Sequence, residues 1–371
     1  MAPTDKPGQP HSPLPLPCRD LFPFAAKGVY LDTGSAGLSF TGQGAAAAAF
    51  YDEAKQVGYT GREIWQAKAG RVRAMLAAML AVDPGEIEFF SGTTHGLNLT
   101  GYSIDWQPGD EIVIAADEFP SVRLAWQGAE RAGAIIRLVE IPSESERSAA
   151  LEAAIGERTR MVVAAHVHSN QGTVIDLNRI GQACRRHNAL FVVDGIHALG
   201  QIPVDMSLVD IYTAGVFKWL LAGFGLSVFV CRPRARQAMN PAFRGYLNQT
   251  PEGGLQFAHV NYPGLYALEA SLELLGEKIG WPAVYAHTAM LIDLLAAELA
   301  RGGIELAAPP GWRSGCASFP VADSEALKAH LADAGMYAAA KGPLMRACPF
   351  IYTSREEIMT FARAVIAFAR P

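Results

Sequence analysis

Cysteine is scarce in this chain and follows no pattern. Cys18, Cys184, Cys231, Cys316 and Cys348 are five in 371 residues, an odd number without a CxxC spacing. That excludes a disulfide framework and a zinc–thiolate knuckle, and it fits free thiols in a reducing cytoplasm. Charge is sparse too, at 18% of residues with a net −5 and no basic block, so nucleic acid is not an expected partner. No apolar run approaches the length of a membrane span and no basic-then-apolar leader opens the sequence, so a membrane is not expected either. GxGxxG after the first strand and a Walker sequence are both missing, which leaves a nucleotide-dependent oxidoreductase without support.

What is present is apolar and ordered. Half the residues are hydrophobic, enough for a large core and a smaller second domain. The opening "MAPTDKPGQPHSPLPLPCRDLFP" is dense in proline and reads as an arm over residues 1–29, disordered or ordered only on contact. Between Glu86 and about Pro233, seven β-rich runs alternate with helical stretches: "EIEFF", "DEIVIAAD", "AIIRLVE", "TRMVVAAHVH", "ALFVVDGIH", "DIYTAGVF" and "LSVFVCRP". Near-continuous apolar strands separated by helices predict an α/β domain with a mostly parallel seven-stranded sheet covered on both faces. That domain is placed at residues 30–262. The Gly/Pro-rich "FRGYLNQTPEGGLQ" marks its end, and a smaller α+β domain follows over 263–371, starting with two long helices.

In open α/β sheets a ligand sits beyond the carboxyl ends of the strands, so the polar residues that end the strands matter most. "EIEFF" is followed by "SGTTHGLN", where Thr93 and Thr94 begin a helical run; they suit a phosphate, or plain N-capping. Phe119 follows the second strand as core or as cover for a flat ring. The fourth strand runs into "HVHSNQG", where Asn170 can donate to an oxygen anion; the spacing of His166 and His168 fits no standard zinc motif, and no metal is expected. "FVVDGIHALGQ" delivers Asp194 and His197 to a sheet end, and a carboxylate there needs something positive opposite. Finally "YTAGVFKWLLAGFG" sets Lys218 in an apolar run, where a lysine is snorkelling, paired or covalently used.

Each signal is weak alone. Together they supply a phosphate cradle, a ring cover, a donor for a phenolic oxygen, a carboxylate for a ring nitrogen and an amine for an aldehyde, which are the needs of pyridoxal 5′-phosphate. A carboxylate about 3 Å from a pyridinium, at an effective dielectric of about 20, is worth roughly 5 kcal/mol before desolvation. Half of that moves the ring nitrogen about two pKa units toward its protonated, electron-accepting form.

The motifs "YLDTGSAGL", "EIEFFSGTTHGLNL", "HVHSNQGTVIDL", "VVDGIHALGQIPVD", "FKWLLAGFG", "NYPGLYALEASLELL" and "MRACPFIYTSREEI" lie in one order and spacing from about Tyr30 to the C-terminus. In these the chain resembles the class V aminotransferase group of fold-type-I pyridoxal-phosphate enzymes, the branch of cysteine desulfurases, isopenicillin N epimerase-like proteins and C–S lyases. The resemblance implies that Lys218 carries the cofactor and shuttles the α-proton, and that Asp194 faces the ring nitrogen. Thr93 and Thr94 would bind the phosphate and Phe119 would stack on the ring. His197 would lie near the phenolic oxygen with Asn170, or Ser169 one residue earlier. Arg346 would clamp the carboxylate of an amino-acid substrate. A homodimer is also implied, with His259 and the N-terminal arm as candidates for crossing between subunits.

The chain departs from that pattern in three places. Gly215 and Phe217 stand where relatives carry a hydroxyl and His or Tyr, so Thr213 becomes a substitute phosphate donor. Ala258-His259 replaces a Gly-Thr. No cysteine precedes Arg346 in "GMYAAAKGPLMRACPF", and Cys348 follows it, which argues against cysteine desulfuration. The expected activity is therefore conversion of an α-amino acid through an external aldimine and quinonoid. Aminotransfer is the leading outcome, with C–S lyase or epimerase chemistry as alternatives, and a non-catalytic binding protein on the same fold as a remote one.

Overall fold

The computed structural model describes residues 18–250 and 254–369; the expected N-terminal arm lies outside these as far as residue 17. Val29–Tyr30 form a first short strand, β1. The β-rich runs then fold as β2 (Ile87–Phe90), β3 (Glu111–Ala115), β4 (Ile135–Val139), β5 (Thr159–Ala165), β6 (Leu190–Asp194), β7 (Ile211–Gly215) and β8 (Ser227–Cys231). All seven join one sheet in the order β2-β8-β7-β6-β5-β3-β4, and β8 alone runs against its neighbours. Parallel neighbours need a crossover, and helices such as Leu177–Arg186, between β5 and β6, supply it.

Side chains alternate along each strand, so one sequence feeds two cores. Ile112, Ile114, Met161, Val163, Leu190 and Val192 pack on one face of the sheet. Val113, Ala115, Val162, Ala164, Phe191 and Val193 pack on the other. The helical stretch "SVRLAWQGAERAG" divides into Pro120–Leu124 and Gln127–Arg131. At the break Trp126 is fully buried, with its indole N–H donating to Val122 O at 2.6 Å.

The last third builds a smaller unit. Tyr262–Leu272 runs on through a wider helical turn, Glu273–Ile279, to the helix Trp281–Ala300. Beyond it lie β9 (Ala317–Pro320), β10 (Met336–Tyr337), β11 (Ala339–Lys341) and β12 (Leu344–Ala347). An antiparallel sheet forms in the order β11-β12-β9, while β10 pairs in parallel with β1, so the start of the described chain is built into its end. Leu31, Leu291, Leu295, Phe319, Met345 and Phe361 share this unit's core. One expectation needs correcting: Trp281–Ala300 is, by length and composition, apolar enough to cross a membrane. Its Val284, Leu291, Leu295 and Leu299 are buried inside the protein.

Candidate active site

The carboxyl ends of β2, β3, β5, β6 and β7 open on one edge of the large sheet. β6 delivers Asp194 there, 4% exposed, with Oδ1 accepting the Ile196 N–H at 2.9 Å. Burial pushes this carboxyl up to about 7, against the pull of the Ile196 N–H and of Lys218. Lys218 lies three residues past β7, at the head of a turn whose Leu221 is held left-handed at φ +57°. A leucine in that region is strained, and Gln43 caps the strained carbonyl with its amide. Burial first, then the nearby Arg346, draws the Lys218 amine down to about 8. Its Nζ sits 2.9 Å from His197 Nε2.

Arg346, on β12, comes from the small unit and is 2% exposed. Nη1 donates to Ser169 O at 2.7 Å and Nη2 to Ser35 Oγ at 3.1 Å, with Asp32 Oδ1 3.7 Å away. Asp32 and Ser35 belong to the "YLDTGSAGL" segment, which lies across the lysine turn. Gly37 donates its N–H to Phe217 O at 2.9 Å, and a Cβ there would come within 2.2 Å of Lys218 O. Asp194, His197, Lys218 and Arg346 thus share one site.

The phosphate-side candidates are more dispersed. Thr93 is buried and its Oγ1 accepts the Gly215 N–H at 2.8 Å, so the hydroxyl closes the strand–turn before Lys218. Thr94 is exposed and hydrogen-bonded to Ser121 Oγ at 2.8 Å. Both open the helix Thr93–Ser103, whose first-turn N–H groups have no acceptor within the helix. Thr213 is fully buried beneath Gly96, and its hydroxyl has no partner among the described residues. His259 is exposed, stands edge-on to Tyr246 at 5.1 Å, and lines a cleft with Ser91 and His95. Phe119 is 50% exposed at the start of Pro120–Leu124.

Asn170 is exposed, and its carbonyl accepts from Ser318 Oγ. The neighbouring Ser169 hydroxyl is buried without a partner among the described residues. His166 is buried beside Tyr212, and burial lowers its ring to about 4. His168 faces the Asp117 carbonyl at 3.1 Å. His168, Asp117 and Glu144 bring ligand atoms within 4.8 Å of one another, but Arg147 already bonds both carboxylates, Asp117 at 3.0 Å and Glu144 at 2.7 Å.

Two features were not foreseen. Glu118, buried beside Phe119, accepts the Ala165 N–H at 2.9 Å, and burial raises its carboxyl. Cys316 lies 3.5 Å from His197 Nδ1, next to Cys348. Neither had a local pattern to announce it.

The site fits pyridoxal phosphate. Asp194 is a desolvated carboxylate with a single N–H bond, Lys218 an amine held by an imidazole, and Ser169 an orphan hydroxyl. A ring nitrogen, an aldehyde and a phenolic oxygen would complete them. A family model for aminotransferase class-V matches residues 46–369. The chain belongs to that family. This class-V protein is a pyridoxal-phosphate-dependent enzyme of fold type I. It is 29% identical to isopenicillin N epimerase of Streptomyces clavuligerus over 340 residues, covering 82% of this chain and 84% of that one. It is 31% identical to a probable cysteine desulfurase of Pseudomonas aeruginosa over 343 residues, 83% of each chain. A solved complex between the cystine C–S lyase C-DES and its reaction product cysteine persulfide matches with a TM-score of 0.86 at 25% identity, over 94% of this chain and 100% of that one.

Proposed function

We propose that this class-V enzyme is a C–S lyase, which takes the α-proton from an α-amino acid bearing sulfur on its β-carbon and releases that sulfur. The relatives favour the lyase and epimerase alternatives over the leading expectation of aminotransfer: two are named as an epimerase and a probable cysteine desulfurase, and a solved neighbour is named as a C–S lyase. The observation that carries the reading is the convergence of Lys218, 2.9 Å from His197, with buried Asp194 and the buried Arg346 fork.

Pyridoxal phosphate, when bound, supplies the electron sink for charge at the substrate α-carbon. Asp194 would hold its ring nitrogen, His197 with Ser169 or Asn170 its phenolic oxygen, and Phe119 its face. Thr93, Thr94 and the helix start would hold its phosphate, with Thr213 and His259 as outer candidates. Lys218 would bind the aldehyde; its amine, lowered to about 8, is suited to carry a proton near neutral pH. Arg346 would fix the substrate carboxylate and so aim the α-proton at Lys218. In elimination the C–S bond breaks with its electron pair on sulfur, and the lysine that took the α-proton can return it to that sulfur. One base on one face suffices. Epimerisation needs a proton from the opposite face, the side assigned to Phe119, a ring with none to give.

Desulfuration by a protein thiol ahead of Arg346 is not part of the reading. Met336–Arg346 is folded as β10, β11 and the start of β12, and Cys348 is fully buried. A homodimer belongs to the proposal.

The test is to incubate the loaded enzyme in deuterated water with a panel of amino acids that includes cystine. Keto acid and ammonia without the pyridoxamine form are expected. Deuterium at the α-carbon with inversion and no keto acid would replace lyase by epimerase, and accumulation of the pyridoxamine form would restore aminotransfer.

A further inference from the structure

The hairpin of β11 and β12 puts a second cation on the face that carries Arg346. Ala339 pairs with Arg346, Ala340 with Met345 and Lys341 with Leu344. Side chains alternate along a strand, so Arg346, Ala339, Lys341 and Leu344 share one face, while Met345 belongs to the core on the other. Lys341 is thus the diagonal neighbour of Arg346, with backbones about 7–8 Å apart, within reach of a long side chain. Ala339, directly opposite Arg346, carries only a methyl and leaves room beside the fork. A two-residue turn fixes this register: Gly342, at φ +61°, takes its first central place, and the Gly342 carbonyl accepts from Ser324 Oγ at 2.6 Å.

The two cations are held differently. Arg346 is buried and commits donors to Ser169 O and Ser35 Oγ. Lys341 is half-buried, toward the tip of the hairpin, and has no hydrogen bond or ion pair among the described residues. Asp32, the carboxylate of this corner, is turned to Arg346 at 3.7 Å. A lysine that needed only water would swing away from an arginine. Here Arg346 is the strongest charge acting on the Lys341 amine, and with burial it draws that amine below its ordinary value. The planar fork of Arg346 matches the substrate α-carboxylate in two bonds. That leaves the Lys341 ammonium, a point charge with three donors, for a different anion nearer the solvent. A substrate pinned by its α-carboxylate at the buried fork extends its free end in that direction.

We propose that Lys341 is a specificity-determining residue: its ammonium pairs with a second acid group on the sulfur side of the substrate. The substrates are then cysteine derivatives whose sulfur substituent bears a carboxylate. The inference rests on the lyase reading above and names the substrate class for it.

The experiment compares two probes on the loaded enzyme. S-carboxymethyl-L-cysteine carries a carboxylate on the sulfur side, and S-carbamoylmethyl-L-cysteine is its uncharged amide of the same shape. Dissociation constants are read from the rapid change in the visible band of bound pyridoxal phosphate, before turnover, and keto-acid release is followed separately. The wild type is expected to bind the carboxylate probe about ten-fold more tightly, the scale of one charge-assisted hydrogen bond. Lys341→Met is expected to bring that ratio close to one, and Lys341→Arg to keep most of it. A wild-type ratio near one overturns the proposal whether or not the variants fold. So does a ratio that survives Lys341→Met, including the case where both probes weaken together, which would give Lys341 to the α-carboxylate instead. A ten-fold ratio that Lys341→Met removes, with no keto acid from either probe, sinks the lyase reading and leaves the assignment of Lys341 standing.

Discussion

Replacing Arg346 by alanine probes the substrate side of the site most directly. A guanidinium has five N–H donors. Here one bonds Ser169 O at 2.7 Å, another bonds Ser35 Oγ at 3.1 Å, and Nε has no partner among the described residues. The remaining donors can grip a carboxylate with two charge-assisted bonds, each worth roughly 1.5–3 kcal/mol. Losing both removes about 4 kcal/mol, or about three powers of ten in kcat/KM. Arg346→Lys keeps the charge and loses the fork, so about half that energy, about 30-fold and mainly in KM, is expected. Truncation also leaves Ser169 O and Asp32 without their cation, at a cost of about 2 kcal/mol in stability, so thermal melting must accompany the kinetics. Steady-state keto-acid release is the assay, with the visible band of bound pyridoxal phosphate confirming loading. The amine analogue that lacks the carboxylate serves as control, because its turnover should be indifferent to the substitution. A folded, loaded alanine variant within ten-fold of wild type on the amino acid would refute the carboxylate assignment.

Stability of the cofactor-free protein should depend on pH in two opposed ways. Asp194, raised from 3.8 to about 7, binds its proton more tightly when folded, so stability falls as pH rises through about 4 to 7. Lys218, lowered from 10.5 to about 8, binds its proton less tightly when folded, so stability climbs between about 8 and 10. Denaturant titrations should show the second slope directly, and the first as the difference between the protein and Asp194→Asn, because His166, lowered to about 4, tilts stability the other way in the same window. Gly172→Ala should destabilise by about 3 kcal/mol or more, because Gly172 sits at φ +78° and a Cβ would lie 1.8 Å from Cys316 O; an unchanged melting temperature contradicts that contact. Arg147→Met should cost about 2 kcal/mol in chemical denaturation, less than for a fully buried pair because the Asp117 carboxylate is 39% exposed. Asp117→Asn added to Arg147→Met should recover part of that loss.

The strands were legible because a strand buried on both faces must be apolar at nearly every position, and "FVVD" or "RMVVAA" can be little else in a chain that alternates with helices. Asp194 and Lys218 were legible for the converse reason: each interrupts such a run with a charge that burial alone would not tolerate. β1, β10 and β11 were not legible, since two or three residues such as Val29–Tyr30 carry no period, and β1 and β10 pair with each other across some 300 positions. Separation along the chain also hid Cys316, which lies 119 residues from the histidine it touches. Trp281–Ala300 was legible as a helix, but its apolar length was underrated, because its apolar residues are interspersed with His287, Thr288 and Asp293 rather than forming one unbroken run.

The pairing of β1 with β10 has a consequence for synthesis on the ribosome. Val29 and Tyr30 are translated among the first described residues, yet their hydrogen-bonding partners, Met336 and Tyr337, arrive among the last. The seven strands of the large sheet are complete once Cys231 has emerged, while Leu31 still lacks Phe319 and Met345, the neighbours that will cover it. For most of its translation the nascent chain therefore carries a loose, sticky leading end. Chaperone demand should concentrate on that end until the final hundred residues appear.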